Sequence, residues 1–182
     1  MRIISGKYRG KKLKEFELNS TKPTLDRVKE SIFNLIQFDV ADAVVLDLFS
    51  GTGALGIEAI SRGAKQTFLV DNNINAIKII KENLKGLDGN YELRYDDYAD
   101  YLSKTSQKFD IVLLDPPYKT DFGIIAIKML IDRDLLSKNA IIIFETGEEN
   151  NFELNFEGFI TTRKKYGTVV VFKMEKINEK LR

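Results

Sequence analysis

The sequence predicts an α/β fold in one domain: a mostly parallel sheet finished by an antiparallel C-terminal hairpin and preceded by a short basic hairpin. Three observations predict it. Short apolar runs alternate with segments of helical apolar spacing from residue 44 onward, and the last two β-rich runs are joined by a tight turn. The 182 residues are 43% hydrophobic and 30% charged with a net charge of +1, a composition that supports one sizeable core and argues against a disordered chain. Strands alternating with helices imply right-handed crossovers and a parallel sheet covered on both faces.

The elements follow in order. Residues 1–14 hold Arg2, Lys7, Arg9, Lys11, Lys12 and Lys14 and no acid, so this segment carries +6 while the rest of the chain sums to −5. Ile3, Ile4, Tyr8 and Leu13, with Gly6 and Gly10, suggest a hairpin, and its charge suits a polyanion through phosphate neutralisation. A solvated basic terminus is the plainer alternative. Pro23 and Thr24 open an amphipathic helix carried by Leu25, Val28, Ile32, Leu35 and Ile36, with Thr24 as its N-cap. Buried strands are expected at 44–49, 67–70, 91–95, 109–114 and 141–144, and helices near 54–62, 74–86, 97–104 and 122–132. Runs 159–165 and 168–174, separated by little more than Tyr166 and Gly167, read as the final hairpin.

Composition also excludes chemistries. The chain has no Cys, hence no disulfide, thiolate-bound zinc, iron–sulfur cluster or thiol nucleophile, and no His, the commonest general base and metal ligand. No metal site is expected. No stretch approaches the roughly 20 apolar residues that span a bilayer, so a cytoplasmic protein without membrane partners is expected, with a monomer as the default.

Gly51, Gly53 and Gly56 form a Gly-x-Gly-x-x-Gly between the strand at 44–49 and the next helix. Glycine permits a tight turn and a close ligand approach, and the helix start offers free amides. Asp71 lies 20 residues beyond Gly51 at the end of the next strand, where a carboxylate can accept both hydroxyl protons of a ribose. Asp47, at the strand end beside the loop, is a poor neighbour for a pyrophosphate and a good one for the ammonium and sulfonium of S-adenosylmethionine. Its competing role is to brace the loop.

Asp115-Pro116-Pro117-Tyr118 leaves the carboxyl end of a central strand, the edge at which open α/β sheets bind ligands. Two prolines hold the backbone extended and aim its carbonyls. The exocyclic amine of a nucleobase has its lone pair delocalised into the ring, and acceptors that grip its hydrogens favour rehybridisation. The Asp115 carboxylate and the Pro116 carbonyl supply two such acceptors, while Tyr118 can stack on an everted base. Neither a metal nor a histidine is needed.

The combination of Asp47 to Gly53, Asp71 and Asp115 to Tyr118 resembles the class I S-adenosylmethionine-dependent methyltransferases, whose sheet is Rossmann-like, and specifically those acting on amino nitrogens of bases. Met1 to Leu13 and Lys22 to Asn34 extend the resemblance to the RsmD family of 16S ribosomal RNA guanine-N2 methyltransferases over nearly all of the chain. That resemblance implies a seven-stranded sheet completed by the final hairpin, and residues 1–20 as an RNA-binding extension within a single methyltransferase domain spanning 1–182. Ser50, Gly51, Thr52 and Gly53 would hold the amino-acid end of the cofactor and Asp71 its ribose. Asp97, or its neighbour Asp96, would hold the adenine amine, with helix capping as the competing role. Arg27 would stand near the cleft, facing cofactor carboxylate or RNA phosphate, and Arg2, Lys7, Arg9, Lys11 and Lys12 would meet 16S ribosomal RNA in an assembling small subunit. Methylation of adenine N6 or cytosine N4 uses the same physics. A nicotinamide oxidoreductase and a noncatalytic RNA-binding module are the alternatives of other classes.

Overall fold

The computed structural model describes residues 1–16, 23–150 and 152–177, with the side chains of 23–25 left aside. After an antiparallel bridge between Arg2 and Lys12 come α1 (Pro23–Leu35), β1 (Val44–Leu48), α2 (Ala54–Ser61), β2 (Gln66–Asp71), α3 (Ile74–Leu84), β3 (Tyr91–Tyr95), α4 (Tyr98–Lys104), β4 (Phe109–Leu114), α5 (Phe122–Asp132), β5 (Leu136–Gly147), β6 (Phe159–Tyr166) and β7 (Val169–Lys176). The strands form one sheet in the order β3-β2-β1-β4-β5-β7-β6, parallel as far as β5, with β7 antiparallel to both of its neighbours. This is the seven-stranded, Rossmann-like class I sheet that the family resemblance implied.

Alternation along the central strands divides the core. One face carries Leu46, Leu48, Val112, Leu114, Ile142 and Phe144 against Leu102 of α4 and Ala126, Ile127 and Leu130 of α5. The other carries Val45, Ile111, Leu113, Ile141 and Ile143 against Val28, Ile32 and Phe33 of α1 and the following Ile36. A third cluster joins Ile57 and Ile60 of α2, Leu69 of β2 and Ile80 and Leu84 of α3 to Ile3 and Leu13 of the N-terminal hairpin.

Several expectations change. The basic segment is a hairpin, but it lies on the body, with Ile3 and Leu13 buried. The helix α1 begins at Pro23, a residue suited to the first helical position, so Thr24 falls inside the first turn and not at the cap; its side chain is outside the described set. The strand β3 is an exposed edge, with Tyr95 61% accessible, because among the described residues nothing pairs beyond it. The strand β5 starts five residues before the apolar run, since Leu136 already pairs with Phe109 across a register irregularity and Ser137, Lys138 and Asn139 hide its beginning.

Candidate active site

The strand β1 ends in a loop built around two left-handed glycines, Gly51 at φ 56° and Gly53 at φ 79°, and a left-handed Phe49 at φ 69°. A non-glycine residue in that region is strained and marks a position that its surroundings hold. The Ser50 hydroxyl, which is buried, donates to the Asp47 carbonyl at 2.6 Å and accepts the Val70 N–H at 2.9 Å, pinning the loop to β2. A Cβ on Gly56 would stand 2.8 Å from Leu69 Cδ2 and 2.9 Å from Asp47 Oδ2, so this third glycine is needed for helix packing.

Asp71 accepts the Gly51 N–H through Oδ2 and the Asn73 N–H through Oδ1, both at 2.8 Å. Each carboxylate oxygen keeps a further acceptor site, which suits paired ribose hydroxyls. Asp47 is 1% exposed and Oδ2 accepts the Gly56 N–H at 2.8 Å. Burial pushes its carboxyl up to about 7 against the pull of that amide, with the Asp71 charge adding to the rise. Asp47 therefore braces the start of α2 and also faces the cleft.

Asp47, Ser50, Gly51, Thr52, Asp115 and Glu145 line one cleft of about 300 Å³. Register explains the meeting. Asp47 pairs with Leu113, Leu113 with Ile143, and two residues on from these lie Asp115 and Glu145, on the same sheet face as Asp47. Asp115, just past β4, and Glu145 of β5 thus stand side by side, with Asp47 of β1 two residues lower on the same face, below α1. Asp115 is open to the cleft, but protein surrounds the space it opens into. Restricted solvation there, then the charges of Glu145 and Asp47, hold its carboxyl well above the usual range. Glu145 is 6% exposed and is also raised by burial, opposed by the Tyr118 hydroxyl, which donates to its Oε1 at 2.5 Å. The Asn150 amide holds the Tyr118 carbonyl. Among the described residues no donor reaches the Pro116 carbonyl, whereas that of Pro117 accepts the Thr120 hydroxyl at 2.7 Å.

A second, smaller lobe is lined by Phe49, Val70, Asp71, Asp96, Tyr98, Pro117 and Phe122. Phe49 walls both lobes. The ring centroids of Phe49 and Tyr98 are 5.0 Å apart and those of Tyr98 and Phe122 5.2 Å, forming an apolar row beside an acid that suits a purine with an exocyclic amine. Asp96, not Asp97, faces this lobe, because Asp97 caps α4 by accepting the Ala99 N–H at 2.8 Å.

The basic candidates separate. Arg2, Arg9 and Arg27 line a groove of about 430 Å³ with Asp26 and Glu30, which takes Arg27 away from the cofactor cleft and corrects that part of the expectation. Lys7 pairs with Asp88 at 3.1 Å, Lys11 donates to the Lys85 carbonyl, and Lys12 is exposed.

The sequence reading missed Phe49, Tyr98, Phe122 and Glu145. A strand-end acid after an apolar run, the signal that found Asp47 and Asp71, also fits Glu145. It missed Glu58 as well. Fully buried on α2, Glu58 accepts the Ile4 and Ser5 N–H groups at 2.9 and 3.0 Å and pairs with Lys29 at 3.3 Å and Arg62 at 2.8 Å. Among the described residues there is no cluster suited to a metal ion and no helix long and apolar enough to cross a membrane.

Comparison with known proteins agrees with this architecture. The family model described as Conserved hypothetical protein 95 matches residues 1–175. Ribosomal RNA small subunit methyltransferase D of Haemophilus influenzae is 34% identical over 154 residues, covering 82% of this chain and 80% of the relative. Its Escherichia coli namesake is 31% identical over 175 residues, covering 96% and 88%. The solved structure of yhhF from Escherichia coli superposes with a TM-score of 0.88 at 29% identity, covering 98% of this chain and 99% of that one. The chain therefore belongs to the Conserved hypothetical protein 95 family, together with the ribosomal RNA small subunit methyltransferases D.

Proposed function

We propose that the protein is a methyltransferase that uses S-adenosylmethionine to methylate the exocyclic N2 of a guanine in 16S ribosomal RNA. The observation that carries this reading is that Asp115, at the head of the proline corner, opens into the same cleft as the glycine loop and Asp47. The relatives' names supply the RNA class. The residues present fit the cofactor: glycines leave room for its amino-acid end, Asp71 keeps acceptor sites for the ribose, and Phe49, Tyr98, Phe122 and Asp96 suit the adenine. When bound, it supplies an electrophilic methyl group on a sulfonium.

Asp47, Asp115 and Glu145 together make the cleft acidic, and a cation entering it favours their ionised forms. Asp115 and the Pro116 carbonyl accept the two N2 hydrogens, which draws the nitrogen lone pair out of conjugation and orients it. Asp115 then takes up the proton that N2 releases and passes it to solvent through the open cleft. Tyr118, anchored through Glu145, provides a wall against which the base stacks, with no acid–base part of its own.

In the test, purified protein is incubated with methyl-labelled cofactor and small ribosomal particles from cells lacking the gene, and the RNA is digested to nucleosides. Label in N2-methylguanosine is expected; label in N6-methyladenosine or N4-methylcytidine overturns the guanine assignment.

The N-terminal hairpin serves as the RNA-docking extension through the groove of Arg2, Arg9 and Arg27. Replacing all three by Ala should weaken binding to the particles and lower the slope of log K against log salt by about 2 to 3, since each phosphate contact contributes roughly 0.7 to 0.9. Affinity for S-adenosylhomocysteine should stay unchanged in calorimetry. An unaltered salt slope removes the groove from RNA docking.

A further inference from the structure

We propose that Glu145 is the residue that selects guanine, by accepting the ring N1–H beside the target amine; this rests on the reading of the cleft as a base-methylating site. Glu145 is one step past the register pair Leu114 and Phe144, so it stands on the strand next to Asp115, about 4.8 Å away along the sheet. The two carboxyls open into one cleft, and Glu145 is 6% exposed. Among the described residues no cation pairs with Glu145, its side chain has one hydrogen bond, from the Tyr118 hydroxyl to Oε1 at 2.5 Å, and no donor reaches Oε2. A buried carboxylate without a cationic partner is costly and calls for a donor from a ligand.

The chemistry of the three eligible bases then decides. Guanine presents two adjacent donors, N1–H and N2–H, to neighbouring acceptors. Adenine beside its N6 amine, and cytosine beside its N4 amine, present a ring nitrogen lone pair instead, and a lone pair against a carboxylate is repelled and leaves both groups unpaired. Asp115 gripping the amine while Glu145 faces the adjoining ring position therefore accepts guanine and rejects the other two. The Tyr118 hydroxyl donates to Oε1 and opposes the rise that burial causes, which leaves Oε2 as the oxygen that faces a ligand donor. The same bond ties the stacking ring to the reading group, so base position and base identity are set together.

The experiment uses 2-aminopurine, which keeps the 2-amino group of guanine but has a bare N1. Small subunits are reconstituted with 16S ribosomal RNA carrying guanine or 2-aminopurine at the labelled position. The wild-type protein should transfer methyl to guanine at least about 10²-fold faster than to 2-aminopurine, the scale set by leaving one buried charged acceptor unpaired. In Glu145→Gln, whose amide can donate to a bare N1, that ratio should shrink by about tenfold or more. S-adenosylhomocysteine affinity should be retained. Equal rates on the two bases with wild-type protein overturn the proposal without needing any variant, as does a ratio unchanged in Glu145→Gln. Absence of transfer to guanine in the wild-type reaction instead overturns the function on which the proposal rests.

Discussion

Replacing Asp115 by Ala is expected to lower methyl transfer to the ribosomal particle by about 10³-fold in kcat/KM while S-adenosylhomocysteine affinity is little changed. The magnitude follows from losing an acceptor aimed at the reacting nitrogen, worth about 10² to 10³, and with it the group that takes the proton; both roles belong to one carboxylate and do not multiply. Binding survives because the cradle is made by other residues: Asp71 holds the glycine loop through the Gly51 N–H, and Asp47 holds α2 through the Gly56 N–H. Asp115 is open to the cleft and makes none of these bonds, so its loss leaves no buried partner orphaned. Single-turnover rates and calorimetry on the same preparation separate the two effects. A rate within tenfold of wild type removes Asp115 from catalysis; a parallel loss of cofactor affinity makes it a cofactor ligand instead.

The largest stability effect is expected at Glu58, which lies outside the cleft. Glu58→Ala removes the acceptor for two hairpin amides and strips the partner from Lys29, 3% exposed, and from Arg62, which also lies 4.8 Å over the Phe33 ring. Breaking a buried pair from one side typically costs about 3 to 5 kcal/mol, because the remaining charge stays desolvated. Burial already lowers the Lys29 ammonium below its usual range despite the Glu58 charge. Urea denaturation should show this loss, and Glu58→Leu combined with Lys29→Met should recover part of it by removing both charges. A loss below about 1 kcal/mol for the single variant shows that the hairpin is not fastened here.

Much of the site was legible in the sequence because its chemistry is local. Gly51 and Gly53 need positive φ, and Asp71 follows at the distance of one strand–helix–strand unit, so spacing alone points to them. Asp115 to Tyr118 are contiguous. Glu145 follows an apolar run as Asp47 and Asp71 do, but its place beside Asp115 was not legible, since only the pairing of β4 with β5 brings it next to a residue 30 positions earlier. The aromatic lobe assembles Phe49, Tyr98 and Phe122 from three separate connections, and each alone reads as ordinary core. Asp96 and Asp97 could not be separated until the start of α4 was fixed, because one of two adjacent acids had to become the cap. In the hairpin, charge concealed packing: the lysines and arginines stood out, whereas Ile3 and Leu13 attach the segment to α2 and α3. Strand β5 was read too short for a related reason, its polar opening residues carrying no alternation.

The insertion of β7 between β5 and β6 has a consequence for how the molecule is made. Val170, Val171 and Phe172 of β7 are central to both faces of the core, yet β7 leaves the ribosome after every other element described. Until it emerges, β5 has no partner on that side and a row of hydrophobic side chains stays wet. Cooperative closure of the sheet therefore comes late in translation, and a chain stalled before residue 169 presents a sticky open flank to chaperones.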